Sequence, residues 1–199
     1  MALVGRRLLF LYEGKKPKFA DIAQEEGTLS INLEPVEWGK QMAVALKAKD
    51  VKDPIDFAIA KNNKRDRLDP HKYFEPKKKW GNLGLTVEKE GFYIIRSFER
   101  FTLPENIAVT GFAYTEHLGE VRIHYAGFAH PWFGMERKDN KIGTPLIFEV
   151  RAHNFDVILR HKENFAKIRF FRMSENAPKP KKASYTDQEL MINKFFREP

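Results

Sequence analysis

Glu149 is a residue of this chain that could do proton-transfer chemistry. It stands in Leu146-Ile147-Phe148-Glu149-Val150, a run whose β-branched and aromatic members read as a strand. A carboxyl group held among apolar side chains has a raised pKa and can take and return protons near neutrality, as a water-activating base must. The alternative for the same residue is a strand glutamate that faces water or a neighbouring subunit. His124, His130, His153 and His161 are too scattered over predicted strands to argue a metal site, and satisfied core or surface histidines account for them. With no cysteine, every thiolate zinc site is excluded. The chain also lacks a glycine-rich loop ending in Gly-Lys-Ser/Thr and a serine nucleophile elbow, which argues against an NTPase and an α/β-hydrolase.

A second kind of chemistry is written in charge. The 199 residues carry a formal net charge of +8, and residues 61–81 hold eight Lys or Arg against three acids, a local excess of +5. Such a cluster is either a solvated insertion loop or a surface for a nucleotide or nucleic acid, because Lys and Arg release counterions from phosphates. No apolar run is long enough to span a bilayer. Leu8-Leu9-Phe10-Leu11-Tyr12 is too short for a signal segment and has no small-residue cleavage site after it. Together with the missing cysteines, this predicts a soluble cytoplasmic protein without membrane contact.

The elements that must position these residues are mostly strands. Thr86-Val87, residues 92–95, 107–110, 121–125, 146–150, 155–159 and 166–171 are short runs of β-branched and aromatic residues divided by turn signals. That pattern predicts a sandwich, jelly roll or barrel in one domain over residues 1–175. No internal repeat is visible. Residues 17–27 predict a short helix, with Pro17 near its start, Phe19, Ile22 and Ala23 on one face, and Gly27 as the stop. Leu29-Ser30-Ile31-Asn32-Leu33 then reads as a strand. Residues 176–182, Asn-Ala-Pro-Lys-Pro-Lys-Lys, form a spacer that cannot be a helix or a central strand. Beyond it, residues 189–197 read as helical, so 176–199 is a separate tail.

Several spacings now resemble one family. Asp21-Ile22 followed by Glu26-Gly27-Thr28-Leu29-Ser30-Ile31, then Leu103-Pro104, a loop closed by Gly119, His130-Pro131-Trp132-Phe133-Gly134, Glu149 and Phe165-Ala166-Lys167-Ile168-Arg169-Phe170 follow the order of the dCTP deaminase and dUTPase superfamily. The resemblance covers nearly the whole chain outside 61–81. It implies a mainly β, jelly-roll-like fold of the β-clip type with a short N-terminal helix, a homotrimer with sites between subunits, and a C-terminal lid. It also implies hydrolytic deamination of dCTP to dUTP, in which a glutamate at the position of Glu149 shuttles protons for a water attacking C4 of cytosine. No metal serves that step, and magnesium accompanies the triphosphate.

Carried over position by position, the resemblance implies nucleotide-binding roles for Ala113, Tyr114, His117, His130, Ile147, Tyr185 and Gln188. Many of these positions have changed type. In Gly111-Phe112-Ala113-Tyr114-Thr115-Glu116-His117-Leu118-Gly119 the family's two phosphate-gripping arginines are Phe112 and His117, and its serines are Ala113 and Tyr114. His130 replaces the aspartate that contacts the deoxyribose, and Phe128 replaces an arginine of the catalytic site. Tyr185 and Gln188 match the family's Lys-Tyr-x-x-Gln tail motif, with Ser184 in place of its lysine. Residues 41–46 occupy a strand that normally carries an aspartate, absent here. Three readings follow: a dCTP deaminase; a catalytically degenerate member that senses nucleotides or contacts nucleic acid or protein, with 61–81 as its surface; and a dUTP diphosphatase.

Overall fold

Alternation of apolar and polar residues along the chain is realised as antiparallel strands, most of them joined in one curled sheet. The computed structural model describes residues 7–11, 18–21, 26–52, 54–56, 67–78, 81–113, 121–124, 128–135, 143–180, 188–193 and 195–199. In chain order the strands are β1 (Arg7–Leu11), β2 (Lys18–Asp21), β3 (Glu26–Asn32), β4 (Val36–Trp38), β5 (Gln41–Ala43), β6 (Ala45–Ala48), β7 (Phe74–Lys77) and β8 (Leu85–Val87), then β9 (Phe92–Phe101), β10 (Ile107–Ala113), β11 (Val121–His124), β12 (Phe128–Ala129), β13 (Thr144–Ala152), β14 (Val157–Leu159) and β15 (Asn164–Arg172). One helical turn, α1 (Pro70–Tyr73), precedes β7.

The main sheet runs β11-β13-β9-β3-β15-β10-β12, with β1 and β6 also pairing with β9. Its curl is made at β3. Ile31 and Asn32 pair with Ser97 and Arg96 of β9, whereas residues 26–30 of the same strand pair with β15. Side chains facing inward from both halves, among them Ile31, Ile95, Val109, Phe148, Val150 and Ile168, form the main core. Phe148 meets Phe165 edge-on at 5.6 Å. Each such ring contributes roughly 2–3 kcal/mol through removal from water. The mainly β architecture expected from the sequence is therefore present.

Three local expectations are corrected. Residues 18–21 of the predicted 17–27 helix are strand β2, paired with β1 from Arg7↔Asp21 to Phe10↔Lys18, and β3 begins at Glu26. A helix of about ten residues is marginal alone, so the partner offered by the apolar 8–11 run decides. Residues 189–193 and 195–197 are not helical either. Burial alternates along them, with Leu190 and Ile192 inside and Met191 exposed, and Leu68 forms a parallel bridge with Phe196. Finally, the described half of the basic segment is built into the fold. Asp69 caps α1 by accepting from the His71 amide, β7 pairs with β6, and Tyr73 and Phe74 enter a second apolar cluster with Trp38, Leu46, Ile94 and Phe196.

Candidate functional site

β13 sorts its residues by parity. Leu146, Phe148, Val150 and Ala152 enter the main core, so Pro145, Ile147, Glu149 and Arg151 face the other way. Glu149 is in register with Ile94 of β9 and His124 of β11, and its side chain is exposed. The apolar neighbours that suggested a buried carboxyl point to the opposite face; within one chain the glutamate stands in water. Two residues earlier on its own face, Ile147 is half-buried and packs on the second apolar cluster.

That cluster contains the C-terminal tail, which crosses the outer face as a strap. Buried Gln188 donates its side-chain amide to the Pro145 carbonyl at 3.1 Å, so the tail is tied to the strand that carries Glu149. The next residue is tied to β9. Tyr93, Ile95 and Phe101 of β9 point into the main core, and the opposite parity leaves Ile94, Arg96 and Arg100 beneath the strap. Arg100 grips Glu189 as a fork, with Nη2 to Oε1 at 2.7 Å and Nη1 to Oε2 at 3.1 Å, and Arg96 Nη1 reaches Oε2 at 3.3 Å. Both guanidiniums are about 1% exposed. Each also donates to a backbone carbonyl, Arg96 to that of Glu34 and Arg100 to that of Gly143. Paired geometry and added hydrogen bonds are what make such charges tolerable inside a protein. A cavity of about 810 Å³ opens beside this latch, lined by Glu34, Trp38, Arg67, Arg96, Gln188 and Phe196 among others, and Glu149 does not line it.

The other expected site residues are more dispersed. Ala113 ends β10, opposite Ala166 of β15. Tyr114, His117 and Tyr185 lie outside the described residues. His130 is half-buried in the turn after β12, with its Nδ1 against the Pro131 carbonyl and its ring edge-on to Phe133 at 6.4 Å. The turn is a structural clamp. Trp132 donates its amide to Leu103 O at 3.1 Å and Leu103 donates back to Phe133 O at 2.9 Å, which ties the Leu-Pro and His-Pro-Trp-Phe-Gly motifs to each other. Trp132 takes a φ of 71°, held there by Nε1 donating to the Ala177 carbonyl at 2.8 Å.

Sequence reasoning missed the polar residues buried around this face. Glu99 is buried on β9 and accepts from the Ser30 amide at 2.7 Å and the Ser30 hydroxyl at 2.6 Å, filling the place where the β3–β9 ladder gives out. Burial pushes its carboxyl above the ordinary glutamate value, against the two Ser30 bonds that pull it down. His161 accepts from the Leu33 amide through Nδ1, which puts the proton of the neutral ring on Nε2; burial holds its pKa below the usual imidazole value. The available signal was charge inside an apolar run: Arg96, Glu99 and Arg100 interrupt a strand whose other residues are largely aromatic or aliphatic. Among the described residues no group of three or more His, Cys, Asp or Glu side chains is placed to hold a metal ion, and no described helix is long and apolar enough to cross a membrane.

The curled antiparallel sheet, with Glu149 on its outer face and a C-terminal strap beside it, belongs to the mainly β folds, and comparison with known proteins specifies which family. Residues 10–196 match the family described as 2'-deoxycytidine 5'-triphosphate deaminase (DCD), C-terminal domain, and the chain belongs to that family. The crystal structure of a 2'-deoxycytidine 5'-triphosphate deaminase from Agrobacterium tumefaciens is similar over 76% of this chain, with a TM-score of 0.62 and 27% sequence identity. The chain spans less than half of that protein, 42% of its length. No curated protein matches it.

Proposed function

We propose that this chain is a dCTP deaminase-type hydrolase acting on a deoxycytidine nucleotide, with Glu149 as the proton-transfer residue. The observation that carries the reading is the placement of Glu149: an exposed carboxylate on the outer face of β13, with Ile147 two residues away and strap residue Gln188 tied to Pro145 on the same strand. In the proposed reaction a water oxygen adds to C4 of the cytosine ring while Glu149 accepts its proton. Glu149 delivers that proton to ring N3, then carries the proton of the new C4 hydroxyl to the exocyclic amine; the C4–N bond breaks, ammonia leaves, and C4 becomes the uracil carbonyl. A base of this kind works best out of water. Because one chain leaves Glu149 exposed, a second subunit would have to cover it, in keeping with a homotrimer with shared sites. Magnesium would arrive on the triphosphate. The proposed nucleotide contacts are Ala113, Tyr114, His117, His130, Ile147, Tyr185 and Gln188; the positions of Ile147 on the Glu149 face of β13 and of Gln188 against Pro145 speak for the reading.

A specific observation also favours the degenerate reading. At the position expected to hold a phosphate-gripping arginine, Phe112 instead carries the Arg169 guanidinium carbon 5.6 Å from its ring centroid. One assay separates the readings. Incubation with dCTP, and with dUTP plus magnesium, is followed for uridine nucleotide, ammonia and pyrophosphate. Release of ammonia and uridine nucleotide from dCTP, reduced roughly 10²–10⁴-fold by Glu149→Gln, is the expected result. Pyrophosphate from dUTP without deamination would establish the diphosphatase instead, and nucleotide binding without turnover would establish the sensor.

A further inference from the structure

β13 carries a cation beside the proposed base that the deamination chemistry above does not use. Arg151 follows Glu149 by two residues, on the same outer face and about 7 Å farther along the strand. Its guanidinium carbon lies 5.9 Å from the ring centroid of Phe92, the residue in register with it on β9, and Phe92 is held in turn by packing on the second apolar cluster. A ring beneath a guanidinium supports its plane and leaves the N–H edges for another partner. Among the described residues no carboxylate is that partner, and Nε is buried without a hydrogen bond. Arg96 and Arg100, on the neighbouring strand, each have Glu189. The β11 residue in register with Arg151 is a second arginine, Arg122. Like charges at opposed positions destabilise a strand pair, and a buried N–H without an acceptor adds to that cost; a bound anion offsets the repulsion.

We propose that Arg151 is the phosphate anchor of the Glu149 site, binding the 5' phosphates of the nucleotide whose cytosine lies at the glutamate. The proposal rests on the reading of Glu149 given above and adds the residue that takes the charged half of that ligand. Both groups stand on one face of one strand, so a single nucleotide can meet them together, with C4 at the carboxylate and the sugar and phosphates directed along β13 toward residue 151. The reach of an arginine side chain covers the rest of that distance. A planar guanidinium fork matches two phosphate oxygens, and the Phe92 ring fixes its orientation in advance. Phe112 and His117 stand where the family resemblance puts phosphate-gripping arginines, so the charge of a nucleotide has to be met by other cations. A nucleoside has nothing for Arg151 to hold. The same contact therefore selects a nucleotide over free 2'-deoxycytidine.

The test is calorimetric titration of the intact protein with dCTP, 2'-deoxycytidine and inorganic tripolyphosphate, alongside thermal melting and light scattering. Arg151→Gln should weaken dCTP and tripolyphosphate at least about tenfold and leave 2'-deoxycytidine unchanged. Arg151→Lys, which keeps the charge without the fork, should fall between. The melting temperature of the free protein should not drop in Arg151→Gln, because removing one of two facing charges offsets the lost ring contact, whereas a purely structural arginine would lower it. Undiminished dCTP binding in Arg151→Gln would overturn the proposal and leave the Glu149 chemistry standing, and so would equal weakening of dCTP and 2'-deoxycytidine. A lower assembly mass in Arg151→Gln would also overturn it, by assigning the arginine to a carboxylate of a second copy. Tripolyphosphate binding that depends on Arg151, without any binding of dCTP or 2'-deoxycytidine, would keep the anion site and sink the nucleotide reading. Binding of none of the probes by the wild type would remove both.

Discussion

Replacing Glu99 tests how the two halves of the sheet are joined. Its carboxylate accepts the Ser30 amide at 2.7 Å and the Ser30 hydroxyl at 2.6 Å, where β3 leaves β9 to pair with β15. Glu99→Ala deprives a buried N–H and a buried hydroxyl of their acceptor, at about 1–3 kcal/mol each, and opens a polar void. A total loss of about 4 kcal/mol is expected, a large part of the stability of a domain this size. Glu99→Gln is different. Its Oε1 can still accept from the Ser30 amide, and its Nε2 can donate to a rotated Ser30 hydroxyl, so the cost should stay below about 1.5 kcal/mol.

The pH dependence gives the sharper reading. Burial raises the folded pKa of Glu99 above its unfolded value. Its favourable contribution is then complete below the ordinary glutamate range and is lost as pH rises through the raised folded value. The glutamine has no such proton to lose. Chemical denaturation followed by circular dichroism between pH 4 and 8 should therefore show Glu99→Gln gaining on the wild type as pH rises. A difference independent of pH, or one that runs the other way, would refute the claim that desolvation outweighs the two Ser30 bonds.

Other perturbations follow from single contacts. Gly134 has a φ of 73°, and an added Cβ would lie 1.8 Å from the Phe101 carbonyl oxygen, so Gly134→Ala should cost at least about 3 kcal/mol by thermal denaturation. His161, with its folded pKa lowered by burial, contributes stability above its unfolded pKa that is lost as pH falls through the folded value. The neutral Nδ1 acceptor for Leu33 is worth about 1 kcal/mol, and a His161→Gln variant should lack that acid-side slope in the same denaturation series. Glu189→Gln should release the strap by removing the partner of two buried guanidiniums, so amide exchange at 188–192 should speed up at least tenfold while the β13 amides stay protected. Uniform loss of protection across both segments would show that the latch is part of the global fold.

Strand identity was legible in sequence because it depends on short-range patterns. The β-branched and aromatic runs at 92–95, 107–110 and 146–150 all became strands, and Leu103-Pro104, Trp132 and Gly134 kept the spacing of a clamp whose hydrogen bonds the backbone makes whatever the neighbouring chemistry. The helix expected at 17–27 failed because a marginal segment takes whichever partner the tertiary fold supplies, here the apolar β1. The tail failed for the same reason: Phe196 meets Leu68, more than a hundred residues earlier, and no local propensity records that pairing.

What the amino-acid sequence alone determined was the family and most of the longer strands, and it singled out Glu149 as the carboxylate to test. Only the tertiary structure decided what surrounds that carboxylate, because strand parity sends the apolar neighbours of Glu149 to the opposite face and leaves it exposed. It likewise decided that Arg96 and Arg100, which read as charges on an ordinary strand, are buried and hold Glu189 from the far end of the chain. Burial and long-range pairing are properties of two faces meeting in space, and a linear pattern describes one face at a time.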